Sequence, residues 1–297
     1  MSSPIPRELT VLTAANPSPA AEPDVAAAKE TALVEWLRAR GRILLGFSGG
    51  VDSAYLACVA VDAIGVRNVL AVIGKSASYP AAQWAAARGV ADQFAIPVLE
   101  VETHEMDDPR YAANPSNRCY FCKSELWSLL VPIANERGIE TVVDGTNADD
   151  LTGHRPGAAA AKEQQVASPL ADVGLTKAEI RLLSQRRGIP TWAQPSSPCL
   201  SSRIPYGTEV TATRLAAVER AEAALRTLGI AGDLRVRHHG DLARIEMGAD
   251  ELDHWLAPDA RASLVTAVRA AGFERVAIDL RGFRSGSLNI LTGTSAA

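Results

Sequence analysis

The chain predicts an α/β fold, a doubly wound parallel sheet joined to a smaller C-terminal α+β domain. Three observations carry this. From residue 26 onward, short β-rich runs alternate with longer helical stretches, the pattern of a parallel sheet covered on both faces. Hydrophobic residues make up 47% of the 297 and charged residues 22%, enough to bury a real core. Near residue 190 the texture changes to a proline-rich connector, followed by a helix, a hairpin and a late strand.

The elements follow in order. AAAKETALVEWLRARG reads as an amphipathic helix stopped by Gly41, RILLGF as a buried strand and residues 52–65 as a helix. NVLAVIG, PVLEVET and TVVDGTN read as three more strands, the first two followed by helices over about 80–94 and 120–138. A looser segment with the short VASPL run leads to a helix over 177–188, capped by Thr176. GIPTWAQPSSPCLSSRIPYG, with Pro190, Pro195 and Pro198 before Cys199 and Pro205 after it, is an ordered but irregular connector. TATRLAAVERAEAALRTLG is helical, LRVRHHGDLARIEM is a hairpin turning at His239-Gly240-Asp241, and RVAIDL is a late strand. The expected organisation is a mobile Pro/Ala/Ser-rich tail over 1–25, a nucleotide domain over 26–190 and an α+β domain over 191–297, loose at its final GSLNILTGTSAA.

Composition narrows the function. No apolar stretch approaches the length of a membrane span, and the N-terminus lacks the basic start and apolar core of a secretory signal. The net charge of −4 supplies no global basic field, so no nucleic-acid partner is expected. Four cysteines in such a chain point to reduced cytoplasmic thiols or metal ligation rather than a disulfide framework.

GFSGGVDS, residues 46–53, follows the first strand and opens a helix. Gly49 and Gly50 allow close backbone approach to an anion and unusual angles, and N–H groups converge at the helix N-terminus. Ser48 and Ser53 add hydroxyl donors, whereas Asp52 beside a phosphate requires a Mg²⁺ or a basic residue between them. The segment is neither a Walker A loop nor G-x-G-x-x-G. It resembles the PP-loop of ATP pyrophosphatases of the adenine nucleotide alpha hydrolase-like class, which grips pyrophosphate as ATP becomes AMP. That resemblance implies an acceptor activated by adenylation, with ATP and Mg²⁺ as cofactors. Lys75 and Ser76 after the second strand fall where adenine or phosphate contacts would lie. Gly145 and Thr146 end the fourth strand beside Asp149 and Asp150, which suit Mg²⁺ or ribose or else form an Asx-rich turn.

Cys119 and Cys122 form C-x-x-C at a helix start, open to three readings: a redox pair, half a zinc site or part of an iron–sulfur site. A redox pair lacks its usual thioredoxin-type strand, and zinc lacks a second C-x-x-C or H-x-x-x-H. Cys199 is the third candidate, and three thiolates suit a cluster with one open iron able to hold an extra sulfide. Cys58 sits in an apolar helix face and reads as core packing. Arg235 and Arg237 share one strand face, placed either to grip a phosphate or carboxylate or to make a surface ion pair with Glu246 or Asp241. Arg203 could hold an anionic substrate near Cys199 or lower its thiol pKa, and His238 and His239 read as surface residues flanking the turn.

Together GFSGGVDS, NPSNRCYFCKSEL, DGTNADDLTGHRPG, SPL, GLTKAEIR, PCLSSRIPYG and RVRHHGDLARIE resemble, in order over residues 30 to 250, the LarE sulfur transferases. These build the nickel-pincer nucleotide of lactate racemase. The resemblance implies adenylation of the carboxylates of pyridinium-3,5-biscarboxylic acid mononucleotide, then sulfur insertion with loss of AMP and pyrophosphate. It makes Cys199 the sulfur position, the residue that single-cysteine members sacrifice to become dehydroalanine. Cys119 and Cys122 set this chain apart and look like the other ligands of a [4Fe–4S] cluster fed by sulfide or another sulfur donor. It also implies a homo-oligomer, commonly a hexamer. A tRNA thiolase would carry a basic face or an RNA-binding appendage, an amide ligase would leave the thiols unexplained, and a non-catalytic metal carrier would leave SGGVDS idle.

Overall fold

The computed structural model describes residues 21–152, 156–195 and 198–284. Most of the expected tail and the closing GSLNILTGTSAA lie outside the described residues.

The first part of the chain runs α1 (Pro23–Arg40), β1 (Ile43–Gly46), α2 (Val51–Ile64), β2 (Val69–Lys75), α3 (Ala81–Gln93) and β3 (Val98–Glu102). It continues through α4 (Pro109–Ala112), α5 (Arg118–Glu136), β4 (Thr141–Val143), α6 (Pro156–Glu163), α7 (Pro169–Asp172) and α8 (Lys177–Arg186). The four strands are parallel in the order β3-β2-β1-β4, as the alternation predicts. Period-two alternation divides β1 between two cores. Ile43 and Leu45 face α1, α2, α3 and α8, whereas Leu44 joins Trp127 and Leu130 of α5 on the opposite face. Helices on both faces make the sheet doubly wound. Ala167 of the VASPL run adds a single parallel bridge to Val143, too short for a fifth strand.

The helix starts follow their local chemistry. Thr176 and Glu179 form a capping box at the head of α8, each side chain serving the other's backbone N–H. Pro23 opens α1, where its missing N–H costs nothing, so the helix begins inside the segment expected to be tail.

The second part comprises α9 (Ala212–Leu228), β5 (Leu234–His239), β6 (Leu242–Met247), α10 (Leu252–Leu256), α11 (Pro258–Ala270) and β7 (Arg275–Ile278). β5 and β6 form the expected hairpin and β7 adds parallel to β6, giving a separate mixed sheet. Its core, with Leu215, Val218, Val236, Ile245 and Val268, also takes Tyr111, Phe121 and Cys122 from the first part. That shared core carries the C-x-x-C helix to the connector bearing Cys199. Asn114 fastens the junction. Its Nδ2 donates to the carbonyls of Ile204, Pro205 and Thr208 at 3.2, 2.8 and 2.9 Å, from a left-handed backbone that asparagine tolerates.

Candidate functional site

The phosphate loop spans residues 47–50 between β1 and α2, at the carboxyl end of the sheet where ligands of such folds sit. Tyr79 Oη and Gln83 Nε2 donate to the Ser48 carbonyl at 2.9 and 3.0 Å, pinning the loop to the start of α3. The hydroxyls of Ser48 and Ser53 stand 3.1 Å apart. Gly49 adopts φ +67°, and a Cβ there would run into Ala87 of α3, so only glycine fits. Gly50 differs from the sequence expectation: its φ of −72° is open to any residue, and it starts α2 with an N–H that donates to Ser48 Oγ at 3.4 Å. Gly145 packs its Cα face against the Ser53 backbone, where an added Cβ would stand 3.0 Å from Ser53 N. This close approach brings the loop after β4 to the head of α2.

Two acidic residues meet there through a lysine that motif reading passed over. Lys177, the first residue of α8, pairs its ammonium with Asp52 Oδ2, and its backbone N–H donates to Asp149 Oδ2 at 2.8 Å. Asp52 Oδ1 is buried without a hydrogen-bond partner, an orphan acceptor of the kind that a cation would satisfy. Asp150 forms a reciprocal turn with Asn147, as the Asx-turn alternative required. Lys75 is drawn the other way, pairing with Glu100 of β3 at 3.3 Å and lying over Trp84, on the side of β2 remote from the loop. GLTKAEIR did contain the signal for Lys177, a cation at a helix start directly after a cap residue.

The loop after β2 reaches the cysteine region directly. Leu200 N donates to Ser78 O at 2.8 Å, and Tyr111 Oη lies 2.6 Å from Ser201 Oγ. Ser76 and Ser78 donate their hydroxyls to Glu105 Oε1 at 2.6 and 2.9 Å, while Oε2 of this buried carboxylate has no partner. Cys119 is exposed, and Cys122 and Cys199 are half-buried. The three thiols lie within electrostatic reach of one another. Burial pushes Cys122 far up, with the charges of Glu105 and Cys199 adding to it. The protein around Cys119 raises its thiol, the Cys199 charge adds, and the Arg118 guanidinium pulls it back. Among the described residues, no group of three or more His, Cys, Asp or Glu stands close enough to hold a metal ion. Three cysteines are the ligand type of an iron–sulfur site. Cys58 is core, as expected: it is buried in α2, and burial pushes its thiol up to about 12.

Arg203 corrects the sequence expectation. Its guanidinium is buried and saturated, donating to both Glu222 oxygens at 2.9 and 3.0 Å and to the Pro198 and Cys199 carbonyls at 2.6 and 3.2 Å. It braces the turn that presents Cys199. Arg235 and Arg237 do share one face of β5, the face turned from the core that receives Leu234 and Val236. Arg237 pairs with Glu246 at 2.7 Å, but this is a buried pair and not the surface bridge considered above. Arg237 also donates to Ser202 O at 2.9 Å, which sets it beside the Cys199 turn. Burial, then the charge of Arg203, lowers Arg235 to about 10, with the charge of Glu222 acting the other way. His238 is buried against Phe273 at 5.3 Å rather than on the surface, because its strand face is the core face.

Comparison with known proteins agrees with this layout. The family model described as NAD synthase matches residues 31–116, the part that carries the phosphate loop. A glutamine-dependent NAD(+) synthetase of Aquifex aeolicus is 42% identical over only 57 residues, 18% of this chain and 10% of that protein. An uncharacterized protein of Synechocystis sp. is 44% identical over 248 residues, 84% of this chain and 92% of that protein. The pyridinium-3,5-bisthiocarboxylic acid mononucleotide synthase of Lactiplantibacillus plantarum is 34% identical over 263 residues, 89% of this chain and 94% of that protein. No helix among the described residues is long and apolar enough to cross a membrane. With likeness along nearly its whole length to a named synthase, the chain belongs to the LarE family of ATP-using, PP-loop sulfur transferases.

Proposed function

We propose that this enzyme adenylates the carboxylates of pyridinium-3,5-biscarboxylic acid mononucleotide and replaces an oxygen of each with sulfur, releasing AMP and pyrophosphate. The observation that carries the reading is the direct joining of the phosphate loop's neighbourhood to the Cys199 turn, through the hydrogen bond of Leu200 N to Ser78 O at 2.8 Å. Activation and sulfur delivery then act on one bound acceptor.

Each residue has a part. The loop N–H groups of Gly49 and Gly50, with the Ser48 and Ser53 hydroxyls, receive the departing pyrophosphate at the N-terminus of α2. Asp52, through its orphan Oδ1, and Asp149 would hold Mg²⁺, which supplies positive charge against the leaving group. Lys177 keeps these two carboxylates together until nucleotide arrives. Arg235 and Arg237 orient the substrate's phosphate beside the Cys199 turn. Cys199 is the sulfur position. Cys119, Cys122 and Cys199 would hold a [4Fe–4S] cluster, which when bound supplies an open iron for an extra sulfide.

The test is product analysis with the dicarboxylate mononucleotide, ATP, Mg²⁺ and sulfide. AMP, pyrophosphate and a thiocarboxylate are expected. ADP with orthophosphate would sink the reading.

A further inference from the structure

α3 begins after Pro80 with no side-chain cap of its own. Its first N–H, that of Ala81, donates instead to Glu219 Oε1 of α9 at 2.7 Å, across 138 residues of chain. A helix start is ordinarily satisfied by a Ser, Thr, Asp or Asn beside it, and a carboxylate there also gains from the helix dipole. Drawing that carboxylate from the second part of the chain ties the head of α3 to α9. The head of α3 is also what holds the phosphate loop. Gln83, itself buried, donates to Ser48 O at 3.0 Å, and Tyr79 just ahead of the helix donates to the same carbonyl at 2.9 Å.

Glu222 lies three residues beyond Glu219, on the same side of α9. It takes the guanidinium of Arg203 with both oxygens, and its Oε1 also accepts Val236 N at 2.9 Å. Through Arg203 it sets the Cys199 turn, and through Val236 the segment of β5 that carries Arg235 and Arg237. One helix therefore meets the clamp on the phosphate loop with Glu219 and the sulfur end with Glu222.

We propose that Glu219 is a positioning residue for the sulfur step, fixing through α9 the distance between the nucleotide at the phosphate loop and the Cys199 turn. This rests on the sulfur-transfer reading above. Glu219 acts through Ala81 and α9 rather than on the reacting atoms, and its effect is on which nucleophile takes the acyl adenylate. With the link intact, sulfur bonds to the acyl carbon and AMP leaves with the electron pair of the broken C–O bond. With the link broken, water competes. Its oxygen bonds to the same carbon, AMP leaves in the same way, the water's protons pass to solvent and the carboxylate is regenerated. ATP is then consumed without thiocarboxylate.

The alternative is that Glu219 only stabilises the fold, and the coupling ratio separates the two. The full-length protein is given the dicarboxylate mononucleotide, ATP, Mg²⁺ and sulfide, and AMP and thiocarboxylate are measured together. AMP per thiocarboxylate should rise from about one in wild type to at least about five in Glu219→Ala, because a small misplacement of reacting groups costs on the order of a hundredfold in rate. The KM for ATP should stay at the wild-type value. Glu219→Asp keeps the charge but is one methylene too short to reach Ala81 N, and should uncouple likewise. Glu219→Gln keeps the reach and an acceptor oxygen, and should keep the wild-type ratio. Thr211→Ala removes the side-chain cap of α9, which accepts Arg214 N at 3.3 Å, so it costs stability without touching the link and should also keep that ratio. Lost stability alone removes active protein and lowers both products together. A wild-type ratio in Glu219→Ala and Glu219→Asp overturns the proposal, and so does uncoupling in Thr211→Ala. Should Glu219→Ala not fold, Glu219→Asp against Glu219→Gln decides. Amide hydrogen exchange tests the link apart from the chemistry: Mg²⁺-ATP should slow exchange in α9 of the wild type and not of Glu219→Asp. Such protection in a chain that transfers no sulfur would support the link and sink the proposed function. Its absence from a wild type that does transfer sulfur would overturn the link alone.

Discussion

Lys177 binds two carboxylates with two different groups: its ammonium pairs with Asp52, and its backbone N–H donates to Asp149 at 2.8 Å. The lysine thus holds the loop after β4 against the head of α2 where Mg²⁺-ATP would enter. Asp52→Asn keeps the shape but removes the charge, and should lower pyrophosphate release at least about a hundredfold. Lys177→Met should cost only about 1 kcal/mol in urea unfolding, because both ends of the pair keep solvent contact. Asp52→Asn with ordinary pyrophosphate release would remove Asp52 from the site.

Gly49 offers a stability test of the phosphate loop. Its φ of +67° and the crowding of any Cβ against Ala87 act together, and Ala87 is a helix backbone that cannot move aside cheaply. Gly49→Ala should destabilise the protein by about 1–3 kcal/mol and abolish ATP binding. Gly50→Ala, at an ordinary φ of −72°, should leave the thermal midpoint nearly unchanged. Equal thermal loss in both variants would mean that the loop is not held against α3 as described.

Arg235 and Arg237 should separate substrate binding from nucleotide binding. Changing Arg235 to Ala should raise the KM for the dicarboxylate mononucleotide about ten- to a hundredfold and leave ATP affinity intact, the worth of one charge-assisted hydrogen bond. Arg237→Ala should add a fold penalty, since it removes the 2.7 Å partner of buried Glu246, whose other oxygen stays with Arg244 at 2.9 Å. Unchanged KM in both would restrict the pair to a structural role.

The parallel sheet was legible because its strands are apolar runs with helices between them, and Thr176 announced its capping box with Glu179 three residues on. The phosphate loop was legible because one octapeptide carries all of its residues. Contacts made across the fold were not. Arg203 looks like a free cation on the page, yet it meets Glu222 of α9, and the pairing of Arg237 with Glu246 of β6, one of the two readings of that arginine, is buried rather than on the surface. His238 looked exposed because it adjoins a turn, but its alternation with Leu234 and Val236 sets it on the core face. Arg118 was hidden beside Cys119, its burial set by Asn114 and the Cys199 connector rather than by its own helix.

The burial of His238 gives a pH prediction. Burial, with the charge of Arg214, holds it below the usual histidine range, and its Nδ1 is buried without a partner. The unfolded chain therefore takes up the proton first, near pH 6.5. Stability is full above that value and falls as pH drops from it toward the lower folded pKa. His238→Gln should flatten the fall in urea midpoint between about pH 7.5 and pH 5.5, though not abolish it, since His239 is shifted in the same direction by burial. An unchanged slope would assign the acid sensitivity elsewhere.

The sulfur source divides two readings that share every other residue. If Cys199 gives up its own sulfur, one event per chain leaves dehydroalanine at position 199 and a protein lighter by one hydrogen sulfide. If Cys119, Cys122 and Cys199 together hold a [4Fe–4S] cluster, the anaerobic protein is brown, carries iron and sulfide, and turns over many times when sulfide is supplied. The geometry bears on both. Cys199 is half-buried on a turn braced by Arg203 and reached by the charges of Arg118, Cys119 and Cys122, a setting that neither reading lacks. Cys119 discriminates, because it is exposed and has no part in a sacrifice at Cys199. Cys119→Ala should abolish turnover while leaving the melting temperature within a few degrees, and intact mass after many cycles should accompany wild-type activity. An active Cys119→Ala protein that loses mass at Cys199 would make the C-x-x-C pair structural and the sacrificial route the true one.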